Sequence, residues 1–325
     1  MPERPAVTLL IPTWNAGPEF PDILSRMRGQ RLDRSLEILV IDSSSTDGTA
    51  EFLRGQPVRL IQIPKSSFNH GLTRNLGIHE ARGDIVVLAT QDARPSDDLW
   101  MQRLVDCFAD EQVAGAYSRQ LPRPDANPFI RDRLNGWMAT AASPRVHCLT
   151  SAAEFETLRP LDKLARVGFD NVSSSVRREV ALQIPFRKHR FGEDIDWGHR
   201  VLLAGYKIVY EPRSRVVHSH NNSMWYEFKR LYLDHQNLHR LFGVHTVPRW
   251  WDLMACTAGG AAHLVRVVAN DASLSRATRL KWCAKAVPFS LAQNLAQFLG
   301  ARSVSRLAAG SGVYRRIDHV LNRGV

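Results

Sequence analysis

The feature that most constrains the fold is a set of short apolar runs that end on polar or acidic residues. The most informative run, Ile85 to Ala89, follows a helix predicted to begin near His70 and precedes a lone carboxylate, Asp92. Such a run is typical of a strand buried on both faces of a parallel sheet. The other runs are Val7 to Ile11, Leu36 to Ile41, Val58 to Ile63 and Val113 to Tyr117. Because helical patterns separate them, the sequence predicts βαβ units and a mixed, mostly parallel α/β sheet flanked by helices.

The chain changes character after His220. Its 325 residues suffice for one large α/β domain and a smaller region, and we expect these at residues 1–222 and 223–325. The second region is predicted to be helical. It is also basic, since residues 221–325 contain 14 Lys and Arg against 5 Asp and Glu, whereas the whole chain has a net charge of +11. This charge suits an anionic membrane or nucleic acid, and charge alone does not choose between them.

The cellular setting is indicated by the cysteines and by the hydropathy. The four cysteines are far apart and lack metal-ligand spacing, which favours a reducing cytoplasm over a disulfide framework. No stretch of about 20 residues is free of charge, so a membrane-spanning helix is not expected. An apolar helix beginning at Trp250 and Trp251, with basic residues at its flanks, instead suggests docking at a membrane surface. The alternative is a helix that packs on the rest of the protein.

Asp42 and Asp92 each follow an apolar strand. Ligands of open α/β sheets bind at the carboxyl ends of the strands, where a carboxylate accepts from hydroxyl or N–H groups or holds a divalent cation. The alternative is that each aspartate caps the helix that follows it. The two together favour a binding site.

The helix predicted at His70 begins on a polar cluster. His70 and Arg74 are four residues apart and therefore share one face, with Asn75 beside them. A guanidinium offers a planar fork for phosphate. The alternative is an exposed, solvated helix face. Gly77 inside this helix indicates the close approach of a neighbour.

A third cluster, which is acidic, contains Glu193, Asp194 and Asp196. Asp194 is predicted to lie in the first turn of a helix, whose positive end favours the ionised form and suits a general base. Trp197, one turn later, is expected to be exposed enough to stack on a ligand. The alternative is that the carboxylates only complement the helix dipole.

Two histidines complete the candidate residues. His218 and His220 alternate along a predicted strand and would point the same way. Imidazole is a frequent metal ligand, although a strand histidine is more often structural. No G-x-G-x-x-G follows the first strand, and no G-x-x-x-x-G-K-[ST] occurs, so dinucleotide binding and P-loop hydrolysis lose their usual sequence support.

The motifs together resemble the inverting family 2 glycosyltransferases with the GT-A (Rossmann-like) fold, and in particular rhamnosyltransferase-like members. The matching segments run in the family's order from Val7 to His220. They are Ile11 to Asn15, Ile41 to Thr49, Phe68 to Asn75, Thr90 to Ala93, Phe191 to Gly198 and His218 to His220.

The resemblance implies roles for these residues. Asp194 would be the catalytic base, and Glu193 and Trp197 would contact the acceptor or sugar. The donor nucleotide would be held by Pro12, Thr13, Asn15, Asp42, Ser44, His70, Arg74, Asn75, Gln91 and Asp92. The family's Asp-x-Asp is here Gln91-Asp92-Ala93, one carboxylate short. A Mg²⁺ or Mn²⁺ ion would therefore be held mainly by phosphates, Asp92, and His218 or His220.

The resemblance thus implies transfer of a sugar, with L-rhamnose favoured, from a dTDP- or UDP-linked donor to a glycan or polyprenyl-linked acceptor in bacterial surface polysaccharide synthesis. We expect a cytoplasmic protein on the inner face of the plasma membrane that does not bind nucleic acid. One alternative is a sugar-1-phosphate nucleotidyltransferase, although Thr13 to Gly17 lacks the basic residue of such enzymes. The other is a non-enzymatic basic protein that binds membrane or nucleic acid.

Overall fold

The computed structural model describes residues 6–136 and 138–323. The chain forms two compact units. The first contains the residues up to Pro124, Leu134–Leu158 and Ala165–Ser219, and the second contains Asp125–Arg133, Arg159–Leu164 and the residues from His220 onward.

The first unit is built on one mixed sheet. Within the described residues its strands are β1 (Val7–Thr13), β2 (Leu36–Asp42), β3 (Arg59–Gln62), β4 (Ile85–Ala89), β5 (Arg94–Pro95), β6 (Val113–Leu121), β7 (Arg145–His147), β8 (Ser173–Arg177) and β9 (Lys207–Val217). They lie in the order β3-β2-β1-β4-β8-β6-β9-β5, and β7 pairs with β9.

The pairing directions place the polar strand ends together. Strands β3, β2, β1 and β4 are parallel to one another, β8 is antiparallel to β4 and β6, and β6 is parallel to β9. Because β1, β2 and β4 run in the same direction side by side, their carboxyl ends share one edge of the sheet. The predicted mixed α/β class with flanking helices is confirmed.

Helices lie between the strands along the chain. Before residue 220 they are α1 (Phe20–Arg28), α2 (Thr49–Arg54), α3 (His70–Glu80), α4 (Trp100–Asp106), α5 (Pro128–Asn135), α6 (Ala152–Thr157), α7 (Pro160–Arg166), α8 (Arg178–Gln183) and α9 (Glu193–Leu203). Apolar faces of α1 and α4 pack on the strands, and the core they form includes Leu9, Val40, Val87, Met27, Trp100 and Leu104.

Strand β9 corrects one prediction. The chain from Lys207 to Val217 forms one strand, which ends just before His218. Ser118 of β6 pairs with Glu211 and Arg119 pairs with Arg215, so β9 bulges between these two pairs and then continues its pairing with β6. His218 and His220 therefore lie beyond the strand, and the predicted alternation along a strand does not apply to them.

The second unit is helical. Its helices from residue 220 on are α10 (Met224–Phe242), α11 (Trp250–Asn270), α12 (Arg276–Ala308) and α13 (Gly312–Leu321). Ser290 Oγ of α12 donates to the Thr257 carbonyl oxygen of α11 (2.9 Å), and Gln236 Nε2 of α10 donates to Ser303 Oγ of α12 (2.7 Å). Within the described residues, none of the helices has both the length and the apolar character that crossing a bilayer requires.

Gly77 shows why α3 lies so close to the sheet. A Cβ atom at Gly77 would lie 2.9 Å from Leu10 Cγ of β1, nearer than real contacts of this kind. The glycine therefore allows the helix to approach a fully buried strand residue, as its position inside a helix indicated.

We predict that Gly77→Ala lowers the free energy of unfolding by about 1–3 kcal/mol, because the added methyl group forces Leu10 out of its packed position. Urea unfolding followed by circular dichroism measures this change. The matched control is Gly259→Ala in α11, where a Cβ meets nothing within 4 Å, and where we expect a gain of up to about 1 kcal/mol. Equal effects of the two substitutions would contradict this explanation of Gly77.

Candidate active site

The ends of β1 and β2 are joined through Asp42. Thr13 Oγ1 donates to Asp42 Oδ1 (3.2 Å), and Ser45 donates to the same carboxylate through its Oγ (2.5 Å) and its backbone N–H (3.0 Å). Asp42 is completely buried. Helix α2 begins later, at Thr49, and its first turn is bound by Asp47 instead. Asp42 therefore orders the strand-end loops and does not cap the following helix.

Two residues in these loops adopt a left-handed backbone. Asn15 has φ of 45° and Ser44 has φ of 58°, values that are uncommon for residues other than glycine. Asn15 is held by Ser45 Oγ, which accepts from its N–H (2.8 Å), and its Oδ1 accepts from the Thr46 N–H (2.8 Å). Ser44 Oγ donates to the Ile63 carbonyl oxygen (2.9 Å). Such strained, over-determined backbone is concentrated at functional sites.

The loop after β4 is bonded to the loop after β1. Gln91 Oε1 accepts from the Trp14 N–H (2.8 Å), and Gln91 Nε2 donates to the Trp14 carbonyl oxygen (3.1 Å). The Gln91 amide therefore positions the first loop. Lys65 Nζ lies 2.8 Å from the centre of the exposed Trp14 ring, which is a cation–π contact. Sequence reasoning gave neither Trp14 nor Lys65 a role, although an aromatic residue directly after a strand was an available signal.

Asp92 lies beside His218. The distance from His218 Nε2 to Asp92 Oδ2 is 3.5 Å. His218 Nδ1 is 3.1 Å from Gln120 Oε1, and Gln120 Nε2 donates to Asp170 Oδ2 (2.7 Å). Because Asp170 fixes the Gln120 amide, the Gln120 oxygen faces His218 and favours a proton on Nδ1. The Nε2 lone pair is then available next to the Asp92 carboxylate, as a metal ligand requires.

Gln120 and Asp170 were missed by the sequence analysis. Both are buried, and Gln120 lies in β6 while Asp170 lies just before β8. Neither occurs in a recognisable motif, so only the folded chain reveals their bond to each other and to His218. His220 lies in the second unit, and its predicted role as a ligand stays a prediction.

Arg74 forms a buried ion pair with Glu193. Arg74 Nη1 donates to Glu193 Oε1 (2.7 Å) and to the His70 carbonyl oxygen (3.2 Å), and Nη2 donates to the Asn171 carbonyl oxygen (3.3 Å). The face of α3 that carries Arg74 is therefore not the solvated surface of the alternative interpretation. His70 itself is exposed at the start of the helix, with its ring edge-on to Phe68 at 4.9 Å.

Asp194 lies in the first turn of α9, as predicted, but its proton affinity differs from the expectation. Its Oδ2 accepts from the Asn171 N–H (3.2 Å) and its Oδ1 from the Ile195 N–H (2.9 Å). Burial, and then the negative charges of Glu193 and Asp170, raise the pKa of Asp194 to about 8. The expectation of an ionised carboxylate at neutral pH is therefore wrong for the free protein, and the group has the proton affinity of a base active near pH 8.

The structure gives Trp197 and Asn75 contacts within the protein that the sequence analysis did not expect. Trp197 is completely buried, stacks on Phe186 with ring centres 5.2 Å apart, and donates its indole N–H to the Ile184 carbonyl oxygen (2.8 Å). The expected exposure is wrong because this apolar ring fills the space under the loop before α9. Asn75 binds the Phe186 backbone with both its amide atoms, so it holds the same loop.

Asp196 has a structural role within α9. It is buried, and its Oδ2 accepts from Arg200 Nε one turn later (2.9 Å). Glu193 and Asp194, its neighbours in the same turn, differ from it because they face Arg74 and Asn171.

Comparisons with known proteins identify the family of the chain. Residues 8–170 match the family described as glycosyl transferase family 2. An O-antigen chain rhamnosyltransferase of Salmonella typhimurium is 32% identical over 230 residues, which are 70% of this chain and 70% of that protein. An N-acetylglucosaminyl-diphospho-decaprenol L-rhamnosyltransferase of Mycobacterium tuberculosis is 25% identical over 297 residues, which are 83% of this chain and 94% of that protein.

Solved structures show the same fold. A mannosyltransferase of Pyrobaculum calidifontis, determined in complex with GDP-Man and Mn²⁺, superposes with a TM-score of 0.55 at 19% identity, over 91% of this chain and 88% of that one. This similarity in fold covers more of the chain than residues 8–170, which match the family. On the sequence match and the relatives together, the chain is a glycosyltransferase and belongs to glycosyl transferase family 2.

Proposed function

We propose that this glycosyltransferase moves an L-rhamnosyl group, with inversion, from a dTDP- or UDP-linked donor to a glycan or polyprenyl-linked acceptor. The names of two relatives, both rhamnosyltransferases, support the sugar and the acceptor class. The observation that carries the chemistry is Asp194, a carboxylate of raised proton affinity held by backbone N–H groups at a helix start. Family membership supports glycosyl transfer over the nucleotidyltransferase and the non-enzymatic alternatives.

Asp194 is the proposed general base. Its ionised carboxylate takes the proton from an acceptor hydroxyl while that oxygen forms a bond to the anomeric carbon. The bond from this carbon to the donor diphosphate breaks at the same time, and the nucleoside diphosphate leaves with the electron pair. Attack from the face opposite the leaving group inverts the anomeric configuration.

The strand-end loops are the proposed nucleotide site. Thr13, Asn15 and Asp42 lie at the carboxyl edge of the parallel strands, and the backbone of Asn15 and Ser44 is held in strained conformations there. Pro12 precedes them at the end of β1. Gln91 supports the site by fixing the Trp14 backbone. Arg74 acts through Glu193, with which it forms a buried ion pair.

Asp92 and His218 fit a divalent cation, Mg²⁺ or Mn²⁺. The 3.5 Å between their ligand atoms is close to the roughly 3 Å between adjacent ligands of one such ion, and the Gln120–Asp170 pair fixes the imidazole tautomer. When bound, the cation offsets the charge that develops on the departing diphosphate. His220, two residues after His218, stays a predicted further ligand.

We place the reaction at the inner face of the plasma membrane. A polyprenyl-linked acceptor would be held in the bilayer, and the basic composition of the second unit suits anionic lipids.

The test of the donor assignment is a panel of nucleotide sugars, measured for binding by calorimetry and for hydrolysis by nucleotide release. We expect dTDP-β-L-rhamnose to bind most tightly and to be consumed, with a loss of both signals on addition of a chelator. If a different nucleotide sugar bound most tightly and was turned over, the assignment of rhamnose would be wrong, but glycosyl transfer would stand. Absence of binding by every nucleotide sugar would contradict the proposed function.

We predict that Gln120→Ala raises the Mn²⁺ concentration needed for half-maximal donor binding by about 10–100-fold, because His218 loses the partner that fixes its tautomer. Calorimetric titration of the donor at a series of Mn²⁺ concentrations measures this. Gln112→Ala, at an exposed glutamine in the loop before β6, is the matched control and should leave the metal dependence unchanged. A folded Gln120→Ala protein with unaltered metal dependence would exclude this support for the site.

A further inference from the structure

Helix α11 carries an exposed apolar stripe. Its members, spaced three or four residues apart so that they share one side of the helix, are Trp251, Met254, Ala258, Ala262 and Val265, and all are exposed. Met254 is 63% exposed. The segment from Leu253 to Val265 contains no Asp, Glu, Lys or Arg. This side of α11 therefore offers only apolar surface to its surroundings.

Helix α12 carries a second stripe of the same kind. Its members, at alternating spacings of three and four residues, are Ala277, Leu280, Ala284, Val287 and Leu291, and all are exposed. Leu280 is 73% exposed and Val287 is 58% exposed. Large apolar side chains are rarely exposed in a contiguous row unless the surface binds something.

The two stripes lie on the same side of the helix pair. Helices α11 and α12 are antiparallel neighbours, because Ser290 bonds to Thr257 while Ala286 packs in one cluster with Leu264 and Val268. In α11, the exposed Ala258 follows the buried Thr257 by one residue, and in α12 the exposed Leu291 follows the buried Ser290 by one residue. In two antiparallel helices, the residue that follows each inward-facing residue is rotated toward the same side of the pair. Ala258 and Leu291 therefore lie on one side.

The stripes therefore form one continuous surface, which we call the α11–α12 face. We propose that this face docks onto a bilayer of anionic lipids, lying in the interface with its apolar side chains among the upper acyl chains. Docking of this face would hold the protein at the membrane where we place the reaction, so the purpose of the docking rests on the proposed function. It assigns the contact to particular residues of the second unit.

Aromatic and basic residues around the face favour lipid as its occupant. Trp250, 67% exposed, and the exposed Trp251 stand at the start of α11, and tryptophan prefers the boundary between water and acyl chains. Exposed basic side chains flank the stripes at Arg266, Arg276 and Lys281. They suit anionic headgroups, each contributing about 1 kcal/mol near such a surface.

The acidic residues of the two helices and their connection do not cancel this charge. Asp252 is paired with Arg249 (2.9 Å), and Asp271 is paired with Arg131 (2.6 Å). A second copy of the chain would bring two basic surfaces together, which repulsion disfavours. An apolar face with a basic rim, on helices that do not span, is the pattern of a surface-bound amphipathic element.

The test compares two full-length double variants that each replace two exposed apolar side chains by glutamine. Met254→Gln with Leu280→Gln changes one residue in each stripe. Leu161→Gln with Leu182→Gln changes exposed leucines elsewhere and is the matched control. Each protein is sedimented with vesicles that contain phosphatidylglycerol and with vesicles of phosphatidylcholine alone, and its mass in solution is measured by light scattering.

We expect the wild type and the control to sediment with the anionic vesicles and only weakly with phosphatidylcholine. The Met254/Leu280 variant should lose about tenfold or more in partitioning, because its buried apolar area is reduced. Sedimentation of this variant equal to the wild type would overturn the proposal. So would a wild type that ignores vesicles and forms a dimer that the variant breaks, since a second copy would then cover the face.

Donor binding in the absence of lipid separates this proposal from the proposed function. The Met254/Leu280 variant should bind the nucleotide sugar as the wild type does. Vesicle binding without any nucleotide-sugar binding in the wild type would remove the proposed function while leaving the docking surface in place.

Discussion

The buried ion pair between Arg74 and Glu193 is the interaction on which the arrangement of the active site depends. It joins α3 to the first turn of α9, with the Asn171 carbonyl oxygen bound to the same guanidinium. A buried charge is very unfavourable unless it is paired and hydrogen-bonded, so each partner requires the other. Burial alone would raise the pKa of Glu193, but the charges of Arg74 and His70, together with hydrogen bonds from a backbone N–H and from Asn171, outweigh it and lower that pKa. Glu193 thus stays ionised beside Asp194.

The ionised Glu193 then determines the chemistry of its neighbour. A helix start stabilises a carboxylate by about 0.3–1 kcal/mol, which lowers a pKa by less than one unit. Burial and two nearby carboxylates act in the opposite direction on Asp194 and prevail. The same Asp170 that raises the pKa of Asp194 also fixes Gln120 and, through it, His218. One buried carboxylate thus connects the proposed base with the proposed metal ligands.

Much of this fold was readable from the sequence, because apolar runs and strand-end acids are local signals. The run Ile85 to Ala89 became β4 with the predicted bounds, and Gly77 marked a close approach to the sheet. The predictions that were wrong or missing concern residues whose burial and partners are set by the tertiary structure. Trp197 looked exposed because only its position on a helix was known, and the role of Gln120 depends on two partners 50 and 98 residues away. The state of Asp194 likewise depends on charges that come together only in the folded chain.

The most direct test of the central claim is the pH dependence of kcat/KM for transfer, measured in the wild type and in Asp194→Asn. Asp194 must be ionised to accept a proton, so the wild-type value should rise with pH and level off above an apparent pKa near 8. Asp194→Asn should bind the donor but show no turnover at any pH. A flat wild-type profile between about pH 5 and 9, or retained turnover in Asp194→Asn, would contradict the account.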